Sequence, residues 1–234
     1  MRTLTSSLLW LTPLCAAFST CAQGNFQNLD FESAHLPALP TGQYGSVIAS
    51  SNGFPGWAVS TAVLQNNFTL GMASISILGP NWTASMGQVG LIGGIIEGRY
   101  SAVLQAGNAG SSSVFLDASI AQSGLVPADS KSLQIKVYAL GGSALTVNFG
   151  GQNLPLIALG SSTDYTLYGA DITPFAGQVG VLALTASAIP FHFNTVELDS
   201  IVFSTQSIPE PSGLALFGIG ALFLGIFRRR NSPR

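Results

Sequence analysis

Apolar and polar residues alternate strictly over several short stretches of this chain. In residues 132–138, Leu133, Ile135 and Val137 fall on one face, with polar side chains opposite. Residues 73–77 alternate in the same way. Residues 113–122 place another apolar set on one face: Val114, Leu116, Ala118 and Ile120. Strict alternation predicts half-buried antiparallel strands.

Turn signals separate these stretches. Residues 145–149 and 153–154 flank Gly150 and Gly151, which is the pattern of a β-hairpin with a glycine turn. Residues 179–186 and 195–205 complete the predicted strands, and no stretch of ten residues or more has the spacing of an amphipathic helix. About eight to ten short strands joined by Gly, Ser and Asn turns predict an all-β fold, an antiparallel β-sandwich of the jelly-roll type.

The N-terminus has the pattern of a secretory signal peptide. Arg2 is followed by an apolar run over residues 8–18 and then by small residues up to Ala22. A charged start, a short apolar region and a small-residue cleavage site together predict the removal of residues 1–22. Two alternatives stay open here, which are a buried N-terminal helix and a lipoprotein acylated at Cys21.

The C-terminus predicts a short membrane anchor. An apolar, uncharged run over residues 213–227 ends at Arg228, Arg229 and Arg230. As a transmembrane helix this run would span about 22 Å, which is less than a hydrocarbon core of about 30 Å and suits a temporary anchor. The arginines should stay on the cytoplasmic side, so the domain predicted at residues 23–206 would lie outside. An ordinary single-pass anchor is the alternative.

The segment before this apolar run adds a third feature. Pro209, Glu210 and Pro211 precede the run, and the arginine cluster closes it. In this order the tail, residues 207–234, resembles the PEP-CTERM sorting signal of Gram-negative bacteria. The resemblance implies processing by an exosortase, a transient anchor in the inner membrane and a final place in the cell envelope or extracellular matrix. Proteins with this tail tend to occur in bacteria that make exopolysaccharide, which is therefore a further expected partner.

Composition narrows the classes of function. Only 8 % of the residues are charged, where a soluble domain has roughly a quarter. The predicted domain holds three basic and nine acidic side chains, so it lacks the positive charge that nucleic-acid binding requires. The two cysteines, Cys15 and Cys21, both fall in the predicted signal peptide. The exported domain would therefore have no thiol for a disulfide, for catalysis or for a metal.

Acidic residues lie in pairs near both ends of the predicted domain. Asp30 and Glu32 lie near its start, and Glu197 and Asp199 lie near its end. Residues two apart on a strand share a face, and the first and last strands of a jelly roll commonly lie side by side, so we expect these carboxylates to meet. Asp199 and Ile201 are also two residues apart, so on a strand they would share a face. This would bring Asp199 to the edge of the core, where a carboxylate needs a partner.

Residues 28–32 at the start of the domain and 197–203 at its end are similar to the terminal strands of galactose-binding-like jelly rolls of the carbohydrate-binding-module type. That family carries a structural calcium at this place. The resemblance therefore implies that Glu32 and Asp199, with Asp30 as a further candidate, bind calcium, which prefers oxygen ligands. Alternatively, the carboxylates accept hydrogen bonds from backbone amides, or they form the acid–base pair of a glycoside hydrolase.

Aromatic residues offer candidate sugar contacts, because aromatic faces can stack on sugar rings. Trp57 and Trp82 are the tryptophans of the predicted domain and are candidates for glycan binding, although Trp57 also fits a core position. His35 and His192 are isolated, and no nucleophile elbow or zinc-binding helix motif is present.

These patterns predict an exported, non-enzymatic surface or matrix protein that an exosortase sorts. A lectin-like module that binds glycans of the exopolysaccharide is the alternative, and a glycoside hydrolase is a third hypothesis.

Overall fold

The computed structural model describes residues 25–38, 46–61, 63–66, 72–80, 94–109, 114–139 and 143–208. The predicted signal peptide and the predicted transmembrane helix 213–227 lie outside these residues. Among the described residues, no helix has the length and apolar character needed to cross a membrane.

The described residues are mostly β-strand, as the alternation predicts. One short helix, α1 (Ser50–Gly53), and a single 3-10 turn, Thr173–Phe175, interrupt the strands. The strands are β1 (Ser46–Val47), β2 (Ala58–Ser60), β3 (Val63–Asn66), β4 (Ser74–Leu78), β5 (Ser101–Asn108), β6 (Phe115–Leu116), β7 (Ala118–Leu125), β8 (Ser132–Ala139), β9 (Leu145–Phe149), β10 (Gln152–Leu154), β11 (Ile157–Ser161), β12 (Thr166–Asp171), β13 (Val179–Ala186) and β14 (Asn194–Ser204).

These strands form the two sheets of an antiparallel sandwich. The larger sheet has the order β1-β3-β4-β5-β14-β8-β12-β11, with β6 paired to the end of β5, and the smaller sheet has the order β10-β9-β13-β7-β2. Among the described strands, the pair β3 and β4 is parallel. Within the two sheets, β5-β14-β8-β12 and β7-β13-β9-β10 follow a jelly-roll order, in which the first of eight strands pairs with the last and the second with the seventh. The predicted fold class is confirmed.

The core lies between the sheets and follows the predicted alternation. On β8, Leu133, Ile135 and Val137 are buried, and Leu182 and Leu184 of β13 belong to the same hydrophobic cluster. Burying one such side chain contributes about 1.5–3 kcal/mol. The predicted hairpin is also confirmed, because β9 pairs with β10.

One strand prediction is wrong in part. The stretch 113–122 is not one strand, because the chain passes at Asp117 from β6 in the larger sheet to β7 in the smaller sheet. Asp117 belongs to neither strand, and its Oδ1 accepts a hydrogen bond from Ala188 N at 2.7 Å. Ala118 and Ile120 are buried as predicted, but Val114 and Leu116 are 48 % and 37 % exposed.

Candidate functional site

The last strand, β14, determines where the predicted acidic residues lie. Val196 and Leu198 face the core, and a β-bulge follows between Asp199 and Val202, with Ser200 at φ +49°. A bulge adds one residue to a strand and so reverses the faces of the residues beyond it. Ile201 therefore faces the core, while Asp199 faces the outer side of the larger sheet. The expectation that Asp199 and Ile201 share a face is wrong.

Asp199 is nevertheless buried, because a segment of chain lies over it. The residue is 1 % exposed. Its Oδ1 accepts a hydrogen bond from Ser200 N at 2.6 Å, and its Oδ2 accepts from Ser101 Oγ at 2.8 Å and from Glu97 N at 3.2 Å. Asp199 therefore fixes the residues that lead into β5.

Two further carboxylates hold the same part of the chain. Glu197, also 1 % exposed, accepts a hydrogen bond at Oε2 from Gly94 N at 3.3 Å. Glu32 accepts at Oε1 from Arg99 N at 2.7 Å and from Tyr100 N at 3.1 Å. We call residues 94–101 the carboxylate-held segment, because three acidic side chains bind its backbone.

The tip of the carboxylate-held segment has little freedom. Gly98 has φ +63°, which favours glycine, and a Cβ added there would overlap the Glu32 carboxylate, so that side chain would have to move. Beside it, Glu97 forms an ion pair with Lys136 and accepts a hydrogen bond from Ser200 Oγ.

The electrostatics of the buried Asp199 and the exposed Glu97 differ. Burial raises the pKa of Asp199 to about 6, against the hydrogen bonds from Ser101, Ser200 and Glu97 that lower it, and the charge of Glu32 raises it further. The hydrogen bonds from Lys136 and Ser200 hold the pKa of Glu97 below its ordinary value.

The structure brings Glu32 and Asp199 to the same segment, but not by the predicted route. Residues 29–33 form a turn, with Phe31 at φ +59°, so Asp30 and Glu32 do not share the face of a strand. Asp30 Oδ1 accepts a hydrogen bond from Glu32 N at 3.2 Å, within this turn. The turn does lie beside β14, because Ile201 N donates to Leu29 O at 2.9 Å.

The hydrogen bonds match the alternative in which these carboxylates accept from backbone amides. Within the described residues, no group of three or more His, Cys, Asp or Glu side chains is placed to hold a metal ion. Calcium binding by Glu32, Asp199 and Asp30 stays a prediction.

Of the two candidate glycan contacts, Trp57 and Trp82, only Trp57 lies within the described residues. Trp57 is 5 % exposed in the core, where its ring stacks on Phe31 with 5.9 Å between centroids, and its Nε1 donates to Asn28 O at 3.0 Å. These contacts cover the ring face that a sugar would need. Trp82 lies outside the described residues, as do the sorting residues Pro209, Glu210, Pro211, Arg228, Arg229 and Arg230.

Sequence reasoning missed the residues that donate hydrogen bonds to Asp199. Glu97, Ser101 and Ser200 make the contacts described above but belong to no recognised motif. The one available signal was Gly98, because glycine is a strong turn signal in a sequence.

The end of β14 leads directly toward the C-terminal tail. Beyond Ser204, Gln206 O accepts a hydrogen bond from Ser132 Oγ at 2.7 Å. The Ile208 side chain packs against Gly169 of β12, where a Cβ would overlap it. The chain is therefore held against the larger sheet up to residue 208.

Comparison with known proteins identifies the tail. Residues 207–230 match the PEP-CTERM protein-sorting motif, so the chain carries the signal of an exported protein that an exosortase processes. No curated protein matches the chain. A solved structure with some similarity is the enzymatically active domain of bacteriophage CBA120 tailspike protein 4, at 12 % identity and a TM-score of 0.34. The match covers 63 % of this chain and 19 % of that one, and so low a TM-score carries no argument about activity.

Proposed function

We propose that this exported protein is a non-enzymatic structural component of the cell envelope or the exopolysaccharide matrix. It would pass the inner membrane, stay anchored there by its tail and be released when an exosortase removes the tail. One observation carries this proposal, which is that the sorting motif at residues 207–230 begins where β14 is fastened to the sheet. A cut beyond residue 208 would leave all described strands intact.

The hydrogen bonds of the acidic residues support the non-enzymatic part of the proposal. A glycoside hydrolase needs two carboxylates that flank an open substrate site. Here Asp199 and Glu197 are buried, and Glu32 holds the backbone of Arg99 and Tyr100. These contacts favour a role of the acids in folding.

The test tracks the tail of the full chain in two strains of a Gram-negative bacterium, one with its exosortase and one without. A C-terminal epitope tag should be lost only in the strain with exosortase, and the rest of the chain should move to the cell surface or medium. Replacing Pro209, Glu210 and Pro211 together by alanine should keep the tag and the membrane location. Ser212→Ala, just beyond the triplet, is the matched control and should be processed normally.

Equal loss of the tag in both strains would contradict sorting by the exosortase. Turnover of a glycoside by the released protein, abolished by Glu32→Gln without loss of folding, would contradict the non-enzymatic role.

A further inference from the structure

A cluster of exposed phenylalanines lies at one end of the larger sheet, away from the carboxylate-held segment. Phe191 is 84 % exposed and Phe193 is 43 % exposed. Together with Asn108, Phe115 and His192 they line a cavity of about 240 Å³, which we call the phenylalanine pocket. Exposed apolar surface that is grouped in a concavity marks an interaction site more often than scattered apolar residues do.

The rings of this pocket make contacts within the fold. Phe193 lies against Gly107 of β5, so closely that a Cβ on Gly107 would overlap the ring. Phe191 meets Phe115 of β6 edge to face, with 5.5 Å between centroids and 73° between planes. Phe193 is therefore held in place before a ligand binds, which lowers the entropic cost of binding on this side of the pocket.

Folding buries little of the Phe191 ring, and the backbone of this residue is strained. Its φ is +64°, a conformation that favours Gly or Asn and costs a bulky residue about 1 kcal/mol or more. A core phenylalanine recovers such a cost through burial, but this ring is exposed. Strained residues of this kind are concentrated at binding sites, so the position of the ring indicates a ligand contact.

The chemistry of the lining selects the ligand. None of the described residues that line the pocket is Asp, Glu, Lys or Arg, and Asn108 and His192 place hydrogen-bonding side chains beside the rings. A pyranose ring has the complementary surface, with an apolar C–H face and hydroxyl groups around it. Asp117 lines the adjoining cavity, which shares Phe115 with this pocket, and its charge would repel an acidic sugar.

The size of the pocket limits what it can hold to a small group. A cavity of about 240 Å³ suits roughly one sugar ring, and it is smaller than the cavities of roughly 300–1,000 Å³ that hold drug-sized ligands. We propose that the phenylalanine pocket binds a neutral pyranose unit of an extracellular polysaccharide, stacked on Phe191 and Phe193. The proposal rests on the proposed function only in that the protein must leave the cell to meet this polymer.

Affinity electrophoresis of the full chain, solubilised in a detergent without a sugar head group, tests the proposal. Native gels would contain β-glucan, galactomannan or xylan as neutral probes and alginate as the acidic probe. We expect retardation in at least one neutral gel and none in alginate. Phe191→Ala should weaken the apparent affinity tenfold or more without lowering the unfolding temperature, and Phe191→Tyr should stay within about twofold of wild type. Val47→Ala, at another exposed apolar residue, is the matched control.

Several outcomes would overturn the proposal. These are no retardation in any neutral gel, stronger retardation in alginate, or equal binding by Phe191→Ala. A dimer that Phe191→Ala converts to a monomer in light scattering would assign the pocket to contact between copies instead. Failure of the proposed function would look different, because the tail would then stay uncut while wild type still bound the neutral polymer.

Discussion

At the scale of single residues, this protein uses carboxylates as connectors, and two of the three, Asp199 and Glu197, are buried. Asp199, Glu197 and Glu32 each accept hydrogen bonds from the backbone of the carboxylate-held segment. Hydrogen bonds to a charged acceptor contribute about 1.5–3 kcal/mol, but burial of the charge works against them. For Asp199 the net effect depends on protonation, which makes this residue testable by pH.

The first prediction concerns Asp199. Burial raises its pKa to about 6 in the folded protein, from 3.8 when it is free. Between these two values the folded state holds the proton more tightly, so this group stabilises the fold at low pH and loses that contribution as pH rises through 6. From pH 5 to pH 7 the free energy of unfolding should fall by about 1 kcal/mol from this group alone. Urea denaturation of the full chain in detergent and EDTA, at pH 5 and at pH 7, measures this change in the free energy of unfolding.

Asp199→Asn should remove this slope, while Asp164→Asn, at an exposed carboxylate, should keep it. A slope of the opposite sign in calcium, with stability that rises toward pH 7 and is lost on adding EDTA, would support the predicted calcium site. A wild-type slope of zero in EDTA would contradict the pKa shift.

The second prediction concerns Gly98. Alanine at this position would meet both a positive φ and the Glu32 carboxylate. We expect Gly98→Ala to lower the free energy of unfolding by about 2 kcal/mol, from backbone strain and the weakened hold on Arg99 and Tyr100. Gly160→Ala is the matched control, since nothing lies within 4 Å of its Cβ position. Equal stability of the two variants in urea would show that Glu32 does not constrain this turn.

At the scale of elements, β14 connects the fold to the sorting signal. It lies between β5 and β8 in the larger sheet, and its bulge turns Ile201 to the core while Asp199 stays on the outer side. Its end is fastened by Ser132 and Gly169. Residues that would otherwise form a free linker thus belong to the sandwich up to residue 208.

The third prediction tests this attachment. Gly169→Ala should displace Ile208, because the new methyl group would overlap its side chain, and the end of the Leu159 side chain on β11 would also have to shift. We expect proteolysis within residues 204–211 to become several-fold faster in the full chain, while the free energy of unfolding changes by less than about 1 kcal/mol. Gly160→Ala, on the neighbouring strand β11, is the control. Unchanged cleavage would mean that the contact of Ile208 does not hold the chain.

At the scale of the whole molecule, the carboxylate-held segment and the phenylalanine pocket lie at different places on the jelly roll. The carboxylate-held segment crosses the outer side of the larger sheet, and the phenylalanine pocket is built from β5, β6 and the residues before β14. Three basic side chains in the predicted domain leave few ion pairs to hold such a surface together. Hydrogen bonds from backbone amides to carboxylates replace them, and these connect segments far apart in sequence, such as Glu32 and Arg99.

The sequence by itself determined several strands, such as β8 and β13, the hairpin at Gly150-Gly151 and the sorting motif at residues 207–230, which are local patterns of alternation, turn residues and charge. Tertiary structure decided the rest. The bulge after Asp199 depends on how β14 pairs with β8, and it reversed the face that parity predicts. Whether an aromatic side chain is buried in the core, like Trp57, or exposed to solvent, like Phe191, depends on which distant residues pack on it. Spacing along a chain cannot encode such contacts, because they form between segments that only folding brings together.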